Sequence, residues 1–353
     1  MAHGSIPVRA LTFRGVRDIR YENVPDPKIM DRGDAIVRVE RAGLCGSDLH
    51  VYHGREVGID PGTVMGHELV GRVVEAGADA RKITPGLRVV APFTTSCGRC
   101  FYCLDGLSAR CLTGALFGWV RAGAGLEGAQ AEFVRVPLAA STLVAIDDDL
   151  PAETALLLAD VLPTGWHVAR MGEVGPDSVV VVLGCGPIGL AAVVSAIEQR
   201  ARRVFAVDAV AERLALAERF GAEPLHRDGD LPGAVRAATE GRGADAVLEA
   251  IGSAVAARLA FDLVRPGGVV SIVGVHHESA FAFSPVEAYD RNLTLRIGRC
   301  PARSLMDELQ GLLRRRTDLG AIVTHVLPLA EGAEAYERFD LKQDGCIKVA
   351  FAP

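Results

Sequence analysis

A glycine-rich turn between a buried strand and a helix is the feature that most restricts how this chain can fold. Residues 178–183 form an apolar, β-branched run that leads into the turn Gly184-Cys185-Gly186-Pro187-Ile188-Gly189, and a second predicted strand, 203–208, follows the helix. The first glycine permits a tight turn, the second allows the backbone to approach a pyrophosphate, and the third lets the helix pack against the strand. The helix N-terminus attracts the anion. This unit predicts a parallel sheet that binds a dinucleotide.

The acid at the end of the second strand indicates which dinucleotide is bound. Asp208 lies 19 residues beyond Gly189, where a carboxylate accepts hydrogen bonds from the adenosine ribose and repels a 2′-phosphate. NAD is therefore favoured over NADP, although Arg213 can soften the repulsion. The residues expected to contact the cofactor here are Gly184, Gly186, Pro187, Ile188, Gly189, Asp208 and Arg213.

The pattern of predicted secondary structure changes near residue 150. The first 150 residues are rich in glycine, proline and short strand-like runs such as 35–40, 71–75 and 87–91, which predicts a β-rich domain. From about residue 151, apolar strands alternate with helices in the rhythm of a parallel sheet. Further along, strands are expected at 322–327 and 346–351. Two domains are therefore predicted.

Composition argues against several classes of protein. The 353 residues are 49% hydrophobic with a formal net charge of −6, which indicates a soluble globular protein without a basic surface for nucleic acid. Residues 178–197 are uncharged, but the central glycines and proline favour the strand, turn and helix over a membrane span. No secretory signal is evident at the start, and the cysteines do not form a disulfide framework. We expect a cytoplasmic protein with no membrane or nucleic-acid partner.

Four of the eight cysteines have the spacing of a structural metal site. Cys97, Cys100, Cys103 and Cys111 are separated by three, three and eight residues. Four thiolates close a tetrahedral shell around one Zn²⁺ and leave no position for water. We expect this zinc to brace a loop rather than to take part in catalysis.

A second group of residues offers the mixed ligands of a catalytic zinc. It consists of Cys45-Gly46-Ser47-Asp48-Leu49-His50, Gly66-His67-Glu68 and Asp160. One thiolate, one imidazole and carboxylates are the donors of an open site that keeps a position for substrate. Taken singly these residues are ordinary, so the prediction depends on their combination.

With these motifs the chain resembles the zinc-dependent medium-chain alcohol dehydrogenases nearly from end to end. The resemblance implies an α/β protein with a GroES-like β-rich catalytic domain at 1–156 and 298–353 and a Rossmann doubly wound parallel-sheet domain at 157–297. Where that family commonly supplies a second cysteine, this chain has Asp160, in a stretch similar to the formaldehyde-dehydrogenase-like branch. The implied zinc ligands are Cys45, His67 and Asp160, and Glu68 is either an outer carboxylate or a fourth ligand.

The resemblance also implies roles for single residues. Ser47 matches the hydroxyl that binds the substrate oxygen, His50 the group that passes the proton to solvent, and Asp48 the carboxylate that orients a metal-bound histidine. Thr164 is expected against the nicotinamide, Lys348 at the pyrophosphate and Val275 at the cofactor. Phe93 matches a wall of the substrate pocket, and four further residues either line the pocket or lie in loops: Trp119, His53, His276 and His277.

The function predicted from the sequence is hydride transfer between an alcohol, or its aldehyde or ketone, and NAD, with two Zn²⁺ per chain. Three alternatives stay open. They are a formaldehyde or aldehyde dehydrogenase or dismutase, a polyol or amino-alcohol dehydrogenase, and a dinucleotide-binding protein without catalysis. A homo-oligomer is expected, as a tetramer more than as a dimer.

Overall fold

A computed structural model describes residues 8–353, and these residues form two compact units. The first unit runs up to Asp160 and includes Pro301–Pro353, and the second is Val161–Cys300. The first unit is therefore built from two separate stretches of sequence.

The first unit is dominated by antiparallel strands around one apolar core. Its N-terminal stretch contains β1 (Val8–Gly15), β2 (Asp18–Val24), β3 (Ala35–Leu44), β4 (Leu69–Ala76), β5 (Arg88–Ala91), β6 (Trp119–Arg121), β7 (Ala124–Leu126), β8 (Phe133–Val136) and β9 (Val144–Ala145). The central strand β3 pairs with β4 and β8, and it is buried at both ends. Four short helices join the strands: α1 (Gly46–Tyr52), α2 (Phe101–Leu104), α3 (Ala139–Thr142) and α4 (Ala152–Leu156).

The second unit is a parallel sheet with helical crossovers. Its strands are β10 (Val179–Leu183), β11 (Arg203–Asp208), β12 (Glu223–His226), β13 (Ala244–Glu249), β14 (Val264–Ile272) and β15 (Thr294–Ile297), and its helices are α5 (Val161–Met171), α6 (Pro187–Glu198), α7 (Ala211–Arg219), α8 (Leu231–Ala238), α9 (Ala254–Leu263) and α10 (Pro285–Asp290). The strand order β12-β11-β10-β13-β14-β15 is the 3-2-1-4-5-6 order of a doubly wound dinucleotide fold. Strand β10 is wholly buried because it is central and covered on both faces.

The chain then returns to the first unit through α11 (Ala302–Arg315), β16 (His325–Pro328), α12 (Gly332–Leu341) and β17 (Val349–Ala352). Strand β17 pairs antiparallel with β3, with Val349 opposite Leu44. This pairing extends the sheet to seven strands and brings residue 348 beside the segment that follows β3.

The predicted fold class is confirmed, with differences in particular elements. Residues 322–327 were expected to form one strand, but Thr317–Ile322 is a 3₁₀ helix and the strand begins at His325. The uncharged run 178–197 is divided between β10 and α6, and no helix in the described part of the chain is long and apolar enough to cross a membrane.

Candidate catalytic metal centre

The thiol of Cys45 is fixed at the point where a strand gives way to a helix. Cys45 follows β3 directly and has extended backbone angles at the N-terminus of α1. The backbone N–H of Cys45 donates to Asp48 Oδ2 at 2.9 Å, so this aspartate, one turn along the helix, fixes the backbone between β3 and α1. Both side chains are buried. The sequence Cys-x-x-Asp therefore builds its own rigid support for the sulfur.

His67 lies against the other oxygen of the same aspartate. Its Nδ1 is 3.4 Å from Asp48 Oδ1, and its Nε2 is 3.9 Å from Asp160 Oδ2. A carboxylate at one ring nitrogen orients the imidazole and leaves the opposite nitrogen for a metal. The preceding Gly66 has φ +89°, and a Cβ there would lie 2.4 Å from Gln130 Cγ, so only glycine suits this approach.

Four buried side chains converge on one point. One donor atom from each of Cys45, His67, Glu68 and Asp160 lies within 4.8 Å of the other three, and Cys45 Sγ is 3.6 Å from Asp160 Oδ2. Burial raises the pKa of the Cys45 thiol, and the nearby carboxylates raise it further, while His67 opposes them. A divalent cation would relieve this concentration of buried acidic donors. The thiol, imidazole and carboxylate set fits zinc.

Glu68 has a dedicated counter-charge. Lys348 Nζ donates to Glu68 Oε1 at 2.8 Å and to the backbone oxygen of Leu44 at 3.3 Å. Oε2 also lies 2.8 Å from Nζ, but without hydrogen-bond geometry. A Cβ at Gly43 would stand 2.4 Å from Oε2, so that glycine makes room for the carboxylate.

The prediction for Lys348 needs correction. It was expected to reach the cofactor pyrophosphate, but its side chain is completely buried against Glu68 inside the first unit. The reason is the pairing of β17 with β3, which places residue 348 beside Leu44 and turns the ammonium group toward the buried carboxylate. The sequence contained no signal for this pair because its members are 280 residues apart.

The remaining candidates around this centre occupy different positions. Ser47 is exposed, with its Oγ 3.9 Å from Cys45 Sγ, and the half-buried His50 lies one turn further along α1. Phe93 is buried and meets the His67 ring edge-on, with centroids 6.4 Å apart. Trp119 packs against the core of the first unit, and His53 Nε2 is 2.8 Å from Asp340 Oδ1.

The four-cysteine segment forms a second cluster. The sulfur atoms of Cys97, Cys100, Cys103 and Cys111 lie within 4.8 Å of one another. The backbone N–H of Cys100 points to the sulfur of Cys97 at 3.3 Å. Burial raises the pKa of the Cys97 thiol, but the N–H groups of Arg99 and Cys100, together with the thiols of Cys111 and Cys100, lower the pKa to about 6. Such N–H donors stabilise thiolate ligands, so this donor set also fits zinc.

The glycine turn of the second unit has the close contacts that its sequence requires. Gly184 has φ +85°, and a Cβ on Gly189 would lie 1.7 Å from the carbonyl oxygen of Gly184. Pro187 and Ile188 open α6, whose N-terminus is Gly186. Asp208 Oδ2 accepts the N–H of Cys185 at 2.7 Å, which ties the acid to the turn.

Three further cofactor candidates lie in this second unit. Arg213 Nη1 is 3.8 Å from Asp208 Oδ2, so the arginine that the sequence set against the acid does lie beside it. Thr164 is buried in α5, and Val275 follows β14 with 40% of its surface exposed.

Comparison with known proteins agrees with these observations. Residues 31–148 match the alcohol dehydrogenase GroES-like domain family and residues 187–313 match the zinc-binding dehydrogenase family. The chain is 41% identical over 343 residues to zinc-type alcohol dehydrogenase B of Aspergillus flavus, a match that covers 94% of this chain and 79% of that protein. The chain belongs to the zinc-dependent alcohol dehydrogenase family. The predicted family and oxidoreductase class are confirmed.

Other alcohol dehydrogenases match over almost their whole length. An alcohol dehydrogenase of Cupriavidus necator is 32% identical over 366 residues, covering 98% of this chain and 99% of that protein. The solved structure of the alcohol dehydrogenase TADH from Thermus sp. ATN1 superposes with a TM-score of 0.91 at 37% identity, covering 98% and 99% of the two chains. The family therefore extends over both compact units.

Proposed function

We propose that this protein oxidises a small alcohol to the aldehyde or ketone with NAD, and catalyses the reverse reduction, at a zinc held by Cys45, His67 and Asp160. The convergence of these three unlike donors in a buried cluster is the observation that carries the proposal. A cluster of one thiol, one imidazole and one carboxylate is the donor set of an open zinc site. A merely structural role would not require it.

A zinc held by these residues would supply Lewis acidity at the substrate oxygen, and a bound nicotinamide would supply the hydride chemistry. Asp48 holds His67 through Nδ1, which keeps Nε2 available as a ligand atom. Ser47, an exposed hydroxyl 3.9 Å from Cys45 Sγ, accepts the proton of the alcohol as it gives up its own hydroxyl proton. That proton is passed through the cofactor ribose to His50, which lies on the same face of α1 and releases it to solvent.

Glu68 acts in this proposal as an outer carboxylate and not as a fourth ligand. Its Oε1 already accepts a hydrogen bond from Lys348, which neutralises it in the interior. A carboxylate held in this way balances the charge of the centre while the substrate position stays open. Phe93, beside His67, is proposed as a wall of the substrate pocket.

NAD and two zinc ions per chain are the proposed cofactors. The carboxylate of Asp208, at the end of β11, supports NAD because it would repel a 2′-phosphate. Arg213 beside it is the reason to measure both cofactors. An NADP-dependent isopropanol dehydrogenase of Clostridium beijerinckii is 30% identical over 300 residues, so at least one relative uses NADP. The second zinc is assigned to the four cysteines Cys97, Cys100, Cys103 and Cys111.

An aldehyde dehydrogenase or dismutase activity is the second candidate. Asp160 favours it, since a carboxylate ligand donates less charge than a thiolate and leaves a more acidic zinc. The test is a panel of primary and secondary alcohols, polyols and amino alcohols with NAD, followed by aldehydes with NAD, read at the NADH absorbance band. NADH formed from alcohols alone supports the first proposal, and NADH formed from aldehydes supports the second. Absence of turnover in every arm, with zinc and NAD bound, would overturn both.

The organisation of the protein is proposed in the same terms. The catalytic domain comprises 1–156 and 298–353 and the Rossmann domain 157–297, and the chains associate as a homo-oligomer, a tetramer rather than a dimer. A cytoplasmic location is proposed as well, because four of the eight cysteines are grouped at metal-like spacing rather than spread as a disulfide framework.

A further inference from the structure

A buried carboxylate at the edge of the parallel sheet has no place in the chemistry described above. Glu249 is the last residue of β13 and is completely buried. Its Oε1 accepts the backbone N–H of Ile251 at 2.6 Å and that of Gly252 at 2.7 Å. One oxygen therefore fixes the loop between β13 and α9.

The other oxygen of Glu249 contacts a histidine from the next loop. Glu249 Oε2 lies 3.1 Å from Nε2 of His276, in the segment that follows β14. The opposite ring nitrogen, Nδ1, lies 3.2 Å from Oε2 of Glu278, and Glu278 Oε1 accepts the N–H of Ala254 at 3.0 Å. The imidazole thus lies between two carboxylates. Each of these carboxylates also accepts backbone N–H groups from the segment that joins β13 to α9.

The two loops also meet through their backbones. Gly252 has φ +81°, and a Cβ there would lie 2.4 Å from the carbonyl oxygen of Val275. A Cβ on Gly274 would lie 2.2 Å from the backbone nitrogen of Gly252 and 2.8 Å from Glu249 Oε2. Gly252 and Gly274 thus let the backbones of the two loops come close together, because a side chain at either position would collide with the other loop.

This bridge stands at the point of the sheet where a dinucleotide binds. In this fold the ligand lies outside the carboxyl ends of the strands at the point where strand order reverses, here between β10 and β13. The loop that Glu249 fixes also touches the glycine turn, since a Cβ at Gly184 would lie 2.5 Å from Ile251 Cγ1. Asp208 marks the adenosine half at the end of β11. The loops after β13 and β14 belong to the other mononucleotide half.

We propose that His276 is a positioning residue for the nicotinamide half of the cofactor, because it holds the loops after β13 and β14 together through Glu249 and Glu278. The proposal rests on the dinucleotide cofactor proposed above. His276 is assigned no contact with the reacting atoms. Its effect is on how firmly the cofactor is bound and not on the proton or hydride.

The test compares His276→Phe with His276→Gln in the zinc-loaded enzyme. The phenyl ring fills the same space without a donor, whereas the glutamine amide can still donate to Glu249. We expect His276→Phe to raise the dissociation constant of NADH, measured by its fluorescence, about tenfold, which is the effect of losing one hydrogen bond to a charged group. The KM for NAD should rise by the same factor with kcat reduced less than threefold, and His276→Gln should recover most of the affinity.

Binding of AMP separates positioning from general damage. AMP needs only the adenosine half, so its dissociation constant should be the same in His276→Phe and in the unaltered enzyme. Equal weakening of AMP and NADH by His276→Phe, or no weakening of either, would overturn the inference. An unaltered enzyme that binds NADPH but not NADH would instead overturn the proposed cofactor, and the same comparison would then be made with NADPH.

Discussion

Lys348 Nζ lies 2.8 Å from both carboxylate oxygens of Glu68, and neither side chain is exposed to solvent. Two opposite charges in the interior are stable only as a pair, because the loss of hydration of each is offset by its partner. Glu68 in turn belongs to the cluster of Cys45, His67 and Asp160. The ammonium group of Lys348 therefore balances one of the negative charges beside the proposed zinc centre.

Removing the ammonium group should destabilise the protein strongly. Lys348→Met leaves Glu68 as a buried carboxylate without its cation, which costs about 3–5 kcal/mol in comparable buried pairs. Urea unfolding of the zinc-loaded protein measures the free energy of unfolding. Lys348→Met with Glu68→Gln removes both charges and should recover most of the loss. A single-variant effect below about 1 kcal/mol would mean that another group compensates Glu68.

Elemental analysis should find two zinc ions per chain. Mild chelation should remove one of them first, because only the site of Cys45, His67 and Asp160 keeps an exchangeable position. Cys103→Ser should lower the content by one zinc and leave the other in place. Protein that carries well below two equivalents after purification without chelators would contradict this assignment.

Asp160→Ala should abolish hydride transfer and lower the zinc content by about one equivalent, while the four-cysteine site and the fold survive. Asp160→Cys should bind zinc but polarise the substrate oxygen less, so its activity should fall without vanishing. Turnover and zinc per chain are measured together. An Asp160→Ala enzyme with two zincs and normal turnover would remove this residue from the site and make Glu68 the carboxylate ligand.

Asp208→Ser should shift the cofactor preference toward NADP by about 10–100-fold, as measured by the ratio of kcat/KM values. The acid would no longer repel a 2′-phosphate, and Arg213 is already 3.8 Å away to attract one. Because Asp208 also accepts the N–H of Cys185, Asp208→Asn is the control that keeps an acceptor oxygen. An unaltered enzyme that already prefers NADP would contradict the assignment of NAD.

His167 should make the protein less stable in mild acid. Burial in α5, reinforced by Arg170, lowers the pKa of His167 from 6.5 to about 4. The unfolded chain therefore binds a proton between pH 6.5 and 4 that the folded one does not. The contribution of His167 is complete above pH 6.5 and is lost as the pH falls toward 4. His167→Gln should lose less of its free energy of unfolding than the unaltered protein between pH 7 and pH 5, measured with urea.

The elements that could be predicted from the sequence are those whose signal is local. The run 178–189 gave strand β10, the glycine turn and the start of α6 because each part is specified by its own residues and neighbours. The cysteine cluster was equally local, since four sulfur ligands lie on one short segment. The proposed ligand set of Cys45, His67 and Asp160 required a family resemblance, because these residues meet only through contacts between distant parts of the chain.

The elements that were missed depend on long-range contacts or carry weak patterns. The edge strand β12 reads Glu-Pro-Leu-His, and its proline argues against a strand in the absence of the sheet. The hairpin of β1 and β2 carries charged residues that pair across its two strands, such as Arg14 with Glu22. Lys348 was expected at the pyrophosphate instead of at Glu68, because only the pairing register of β17 with β3 shows that its side chain lies beside Glu68.

The separation of Lys348 from Glu68 has a consequence for how the enzyme matures. Domains fold as the chain emerges during synthesis, so the four cysteines of the 97–111 segment are available for metal early. Glu68 must wait for a residue made 280 positions later before its charge is balanced. We therefore expect the two proposed metal sites to mature in sequence, with the four-cysteine site able to take its zinc during synthesis and the site of Cys45, His67 and Asp160 completed only after the second unit has been made.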